Sequence, residues 1–277
     1  MKWDGHTHTH FCRHGSKFHA EEYVKQAIEL GFERYTISEH PPVPDGLIDD
    51  EEIMATLAMS EDELPEYMAC ASELKERYAG TIEVTVGLEL DYLYKNEHFT
   101  ENIIQKWGDK LEDVLISVHY LPGKGGMRCI DFSPDDFRTN LLDHYGSVEA
   151  VVDEYYNHIE LAIASAAAWP MRKRLGHVNL IEKFRLALPQ MNNEQLDKQL
   201  DSRLKRLIPL LAESGVDIDL NMAGLRKDTC RKPYAPKWFV QACLQQGIAC
   251  VYGSDTHHPQ DVGAGWEQYT QLIQPSE

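Results

Sequence analysis

Two stretches at opposite ends of the chain carry side chains suited to holding metal ions. The first reads Asp4-Gly5-His6-Thr7-His8-Thr9-His10-Phe11-Cys12-Arg13-His14-Gly15, and the second Tyr252-Gly253-Ser254-Asp255-Thr256-His257-His258. Successive side chains of an extended strand point to opposite faces, so His6 and His8 share a face, as do Asp255 and His257. Two imidazoles on one side of a strand can hold one metal ion. The recurrence of ligand pairs on the first and last strands points to a closed barrel with a metal site at its mouth.

The elements that must position these residues alternate regularly. Strands are expected over residues 2–8, 34–39, 83–90, 114–120, 174–178, 216–221 and 249–253. Helical patterns fill 20–30, 61–78, 96–110, 148–168, 193–214 and 236–246. Gly31, Gly215 and Gly247 each stand between a helix and the next strand, where a left-handed residue ends a helix. This alternation predicts parallel strands joined by right-handed crossovers in one domain, an α/β barrel. The Pro-, Asp- and Glu-rich stretch 41–63 follows a strand end and is expected to be an active-site loop or lid.

Every expected strand delivers a polar or ionisable side chain at its C-terminal end, where barrels carry their catalytic loops. These are His6 and His8, with Arg13 and His14 beyond; Glu39-His40; Glu89 and Asp91; Ser117 and His119; His177 and Asn179; Asp219 and Asn221, with Arg226 beyond; and Asp255 and His257. A lone histidine or strand-end carboxylate is as readily structural as functional, but seven such ends are not explained by coincidence. His19, His98, His144 and His158 fall in helices or loops and are expected to be structural. His10 and His258 lie past the strand ends, as neighbours of the ligands or surface groups, and Cys12 is expected to be a buried structural thiol.

Composition bounds the function. The 277 residues are 43% hydrophobic, enough for a sizeable core, and the formal charge is −18. Such a surface does not grip nucleic acid, although bound metal ions would make a pocket locally positive. The six cysteines form no C-x-x-C pair, so reduced thiols in the cytoplasm are expected. No apolar N-terminal signal is expected, and the most apolar run, 161–169, is too short to span a bilayer. The expectation is a monomer or small homo-oligomer without nucleic-acid or membrane partners.

The set H-x-H, C-R-H-G, S-E-H, G-L-E, S-V-H, G-H and G-S-D-x-H, in that order from His6 to His257, resembles the PHP (polymerase and histidinol phosphatase) superfamily. The opening stretch and Gly176-His177-Val178-Asn179-Leu180-Ile181 resemble its monofunctional histidinol-phosphate phosphatases in particular. The resemblance implies a distorted seven-stranded β/α barrel with a trinuclear site. One metal would take His6, His8, Glu89 and Asp255; a second would share Glu89 and add His119 and His177; a third would take His14, His40 and His257. Imidazoles with a few carboxylates suit Zn, Mn or Fe. The implied reaction is hydrolysis of L-histidinol phosphate by hydroxide generated at the metals, with Glu89, Asp255 and His257 at the reacting centre. The alternatives are a PHP phosphoesterase acting on nucleotides or other small monoesters, and a non-catalytic metal scaffold. Arginine grips phosphate in a bidentate fashion, which makes Arg226 the first candidate for substrate binding, with Arg13 and Arg185 behind it. Asp45, Asp49, Asp50, Glu51 and Glu52 are candidate partners for the substrate's amine.

Overall fold

Seven parallel strands are paired in one sheet in the order β1 (Trp3–Asp4), β2 (Arg34–Glu39), β3 (Glu83–Asp91), β4 (Asp113–Ser117), β7 (Arg172–Leu175), β8 (Asp217–Asn221) and β9 (Cys250–Gly253) in the computed structural model, which describes residues 1–275. Their order in the sheet follows their order in the chain. The sheet therefore curls until first meets last: Gly5 N–H donates to Tyr252 O (2.8 Å), Asp255 N–H to His6 O (2.8 Å) and His8 N–H to Thr256 O (2.9 Å). These bonds complete a nearly closed single-domain barrel. The regular first strand ends at Asp4 rather than at His8. Beyond it only a Thr7–Thr256 bridge persists, because the chain here bonds β9 intermittently while its side chains turn into the mouth.

The helices form where apolar residues recur every three or four positions. Helix Val148–Ala166 buries Val148, Val151, Val152, Tyr155, Tyr156, Ile159, Ala162 and Ile163, and Ser147 Oγ caps it by accepting from Ala150 N–H. Helix Glu194–Ser214 buries Leu196, Leu200, Leu204, Leu207 and Leu211, starts from the Asn193 cap and ends at Gly215, whose φ of +65° suits glycine.

Two departures from the sequence reading shape the mouth. The expected strand 114–120 stops at Ser117, and a separate antiparallel hairpin follows, β5 (Tyr120–Gly123) and β6 (Gly126–Cys129). The stretch 41–63 is not all loop. It holds helix Glu51–Leu57, whose Ile53 and Leu57 join Leu47, Ile48, Leu93, Tyr120 and Cys129 in a small apolar cluster.

Candidate metal centre

His6 and His8 follow β1, Glu89 lies near the end of β3, and Asp255 follows β9; His6, His8 and Glu89 converge, and Asp255 Oδ1 approaches the two imidazoles, 3.8 Å from His6 Nε2. His6 Nε2 stands 3.2 Å from His8 Nε2 and 3.1 Å from Glu89 Oε2. His8 Nε2 stands 3.3 Å from Asp255 Oδ1 and 3.4 Å from Glu89 Oε2. Ligands bound at roughly 2.0–2.1 Å in a tetrahedron are separated by about 3.3 Å, so this set fits a divalent ion. A second set uses the other oxygen of the same carboxylate. Glu89 Oε1 is 2.9 Å from His177 Nε2 and 3.6 Å from His119 Nε2, and the two ring nitrogens are 3.1 Å apart. Asp255 and His177 adopt φ of +51° and +21°, backbone strain that side chains other than glycine tolerate only where surroundings impose it.

Hydrogen bonds fix which ring nitrogen faces inward. His6 Nδ1 bonds Asp219 Oδ2 (2.8 Å), His8 Nδ1 bonds Glu39 Oε1 (3.1 Å) and His119 Nδ1 bonds Asp91 Oδ1 (2.7 Å). His14 Nδ1 donates to Thr56 O (2.9 Å) and His257 Nδ1 to Asp255 O (3.1 Å). With Nδ1 donating outward, Nε2 presents a lone pair, the arrangement that orients metal-binding histidines. His6 with His8 and His14 with His257, whose Nε2 atoms lie 3.1 Å apart, thus turn lone pairs toward each other at close range. Such an approach is repulsive unless a cation or a proton lies between. His40 differs: its Nδ1 approaches Glu89 Oε2 (3.4 Å), and its ring stacks on His8 at 4.3 Å.

The charges are strongly coupled. Burial opposes a charge on His6, yet Glu89, Asp219 and Asp255 raise its pKa to about 10. Burial likewise opposes a charge on His119, but Asp91 and Glu89 raise it to about 9. Burial would raise Glu89 and Asp255, but the surrounding histidines hold both well below the usual carboxylate range. Burial and the neighbouring His8 push His40 and His257 well down. A buried site that stores protons and carboxylates side by side is one where metal ions displace protons.

A cavity of about 690 Å³ opens over these ligands. Arg226 lines it. Its Nη2 donates to Ser254 O (2.8 Å) and Asp255 O (3.2 Å), while Nη1 is buried and has no hydrogen-bond partner among the described residues. Arg13 and Arg185 do not line it. Arg13 pairs with Glu63, and Arg185 is held by Glu182 (2.6 Å) and Asp197 (2.5 Å). The acidic residues of the 41–63 stretch also stay out. Asp45, Asp49, Glu51 and Glu52 are exposed, and Asp50 Oδ1 accepts from Glu52 and Ile53 N–H as a helix cap. That stretch reaches the cavity only through Thr56 and Leu57. The groups that sequence reasoning left unassigned are Glu39, Asp91 and Asp219, the partners of His8, His119 and His6, together with the cavity residues Asp131 and Lys183.

His158, expected to be structural, and His10, expected to neighbour the ligands or lie at the surface, both have local partners. His158 is buried beside Glu154 (3.2 Å), and His10 Nδ1 accepts from Ala20 N–H (3.2 Å). Cys12 is fully buried near His8, His40 and His257, and burial pushes its thiol up to about 12.

The PHP domain profile matches residues 4–223. The chain belongs to the PHP family. This PHP chain is 33% identical to the histidinol-phosphatase of Bacillus subtilis over 97% of its own length and 98% of that protein's. A HisK protein of Listeria monocytogenes superposes with a TM-score of 0.90 at 34% identity, covering 97% of this chain and 100% of that one. The histidinol phosphate phosphatase of Lactococcus lactis, solved with zinc, L-histidinol and phosphate, shares the fold with a TM-score of 0.69 at 16% identity, covering 98% and 92%. Among the described residues, no helix is long and apolar enough to cross a membrane.

Proposed function

We propose that this PHP chain hydrolyses L-histidinol phosphate to L-histidinol and phosphate at a centre of three divalent metal ions. The observation that carries the reading is the bridging carboxylate: Glu89 turns Oε2 to His6 and His8 and Oε1 to His119 and His177. A third ion would be held by His14 and His257, whose Nε2 atoms face each other, with His40 beside them. The substrate reading rests on the histidinol-phosphatase likeness over nearly the whole chain.

These residue sets would hold divalent ions, which would supply Lewis-acid charge to a phosphate ester and make water nucleophilic near neutral pH. The chain's own residues do the rest. Glu89 fixes the separation of the two closed sets, and Asp91, Glu39 and Asp219 hold three imidazoles in the ligating tautomer. Arg226 lines the cavity wall, where its guanidinium would meet a phosphate oxygen while Nη2 braces the backbone at Ser254 and Asp255.

The test is removal and return of metal. Chelated protein should release no phosphate from L-histidinol phosphate, and zinc, manganese or ferrous iron should restore release, with close to three ions per chain by elemental analysis. Full activity with no more than one ion per chain would overturn the trinuclear reading.

A further inference from the structure

We propose that Asp131 is the specificity-determining residue that receives the substrate's ammonium group, an inference that rests on the histidinol phosphate reading. Asp131 owes its position to the hairpin that interrupts the barrel after β4. The hairpin returns the chain to its starting point, where Ile130 N–H donates to His119 O (2.8 Å), and so delivers the next residue beside a ligand. Asp131 lines the same cavity as His14, His119 and His177. The carboxylate thus stands near the ligand shell.

Its present partners leave room for a cation. Oδ2 accepts from Lys183 Nζ (2.8 Å), and Oδ1 accepts from Cys129 Sγ (2.9 Å). Each carboxylate oxygen has two lone pairs, so both retain acceptor capacity. Lys183 belongs to the loop after the ligand His177 and also lines the cavity. The pair is largely sheltered, with side chains 22% and 19% exposed. A sheltered carboxylate discriminates more strongly than a solvated one, because leaving it facing a neutral substrate wastes its desolvation.

The substrate's own chemistry selects this carboxylate over the others. In histidinol phosphate, two carbons separate the ammonium nitrogen from the ester oxygen. When the phosphoryl group lies on the metal ligands, the ammonium must lie close to them as well. The exposed acids of residues 45–52 do not line the cavity, and Asp261, the other carboxylate of the wall outside the ligand sets, is 44% exposed and faces Arg226 (3.8 Å).

The test compares histidinol phosphate with its analogue lacking the amine, on metal-loaded protein. For Asp131→Asn, kcat/KM for histidinol phosphate should fall by about 30-fold or more, while turnover of the des-amino ester changes by less than about threefold. In the unaltered protein, L-histidinol should inhibit competitively and at least about tenfold more strongly than the des-amino alcohol, a readout that needs no variant. Equal losses on both esters would make Asp131 merely a tie between the His119 and His177 loops and overturn the proposal, as would no loss on either. Failure of unaltered, metal-loaded protein to turn over histidinol phosphate would instead remove the functional reading beneath it.

Discussion

Replacing Glu89 with glutamine should disable two ligand sets through one side chain. Glu89 is 1% exposed. Its Oε2 lies 3.1 Å from His6 Nε2, its Oε1 lies 2.9 Å from His177 Nε2, and Oε1 also accepts from Ser117 Oγ (2.7 Å). Glutamine keeps the volume, so the barrel should fold, but its NH2 group carries no lone pair for a metal. Whichever way the amide turns, one set loses its carboxylate oxygen, and the negative charge shared by both disappears. Altering a group that only supports a ligand typically costs about 10–100-fold. Altering a ligand common to two sets should cost at least about 1,000-fold in kcat/KM, or about 4 kcal/mol of transition-state stabilisation. The assay pairs elemental analysis with steady-state phosphate release, and includes His158→Ala as a control. His158 packs against Tyr92 and Tyr94 away from the ligand sets, so its folded variant should stay within about threefold of the parent's activity. If Glu89→Gln kept its full metal complement and activity within tenfold of the parent, the bridging assignment would be refuted.

Three further outcomes follow from the site. Arg226→Ala should raise KM and lower kcat/KM by about 10–100-fold, for loss of a charge-assisted contact at a wall position 25% exposed; unchanged kinetics would leave Arg226 as a brace for the Ser254 and Asp255 carbonyls alone. Asp91→Asn should weaken metal binding about 10–100-fold by removing the carboxylate charge that faces Nδ1 of His119, and zinc titration against a competing chelator measures it. Metal uptake should expel protons: His6, raised from 6.5 to about 10, contributes stability to the metal-free fold that is fully present below 6.5 and is lost as pH rises through about 10, whereas a metal ligand must be neutral. Zinc affinity should therefore rise with pH, and calorimetry in buffers of different ionisation heat should count released protons; a count of zero at pH 7 would contradict the charge assignment.

The strand ends were legible because parallel strands in a barrel all point their C-terminal ends the same way, and alternation then chooses the face. That logic also held the signal for Asp91, two residues beyond Glu89, and for Asp219, but it gives no means of separating a ligand from the group that orients one. The hairpin was harder to read. Strand 114–120 looks continuous in hydrophobicity although it ends at Ser117, and Gly123, Gly125 and Gly126 mark only the later turn of the hairpin; Gly125 and Gly126 adopt φ of +81° and +147°. Asp131 was therefore hidden, since its place depends on that turn. The acids of residues 45–52 misled for a local reason. They are where a short helix wants a cap and negative charge, and Asp50 with Glu51 and Glu52 meets that need outside the cavity. Arg185 stands outside the cavity lining because Glu182, three residues earlier on a tight turn, meets it directly.

The most direct test of the account is a comparison of kcat/KM for L-histidinol phosphate, glycerol phosphate and a mononucleotide on one metal-loaded preparation. Metals and barrel alone would serve many monoesters, so preference must come from the cavity wall. Histidinol phosphate should exceed each of the others by at least about 100-fold, the size expected from one or two buried polar contacts. Equal or faster turnover of the mononucleotide would contradict the account and make the chain a nucleotide phosphoesterase.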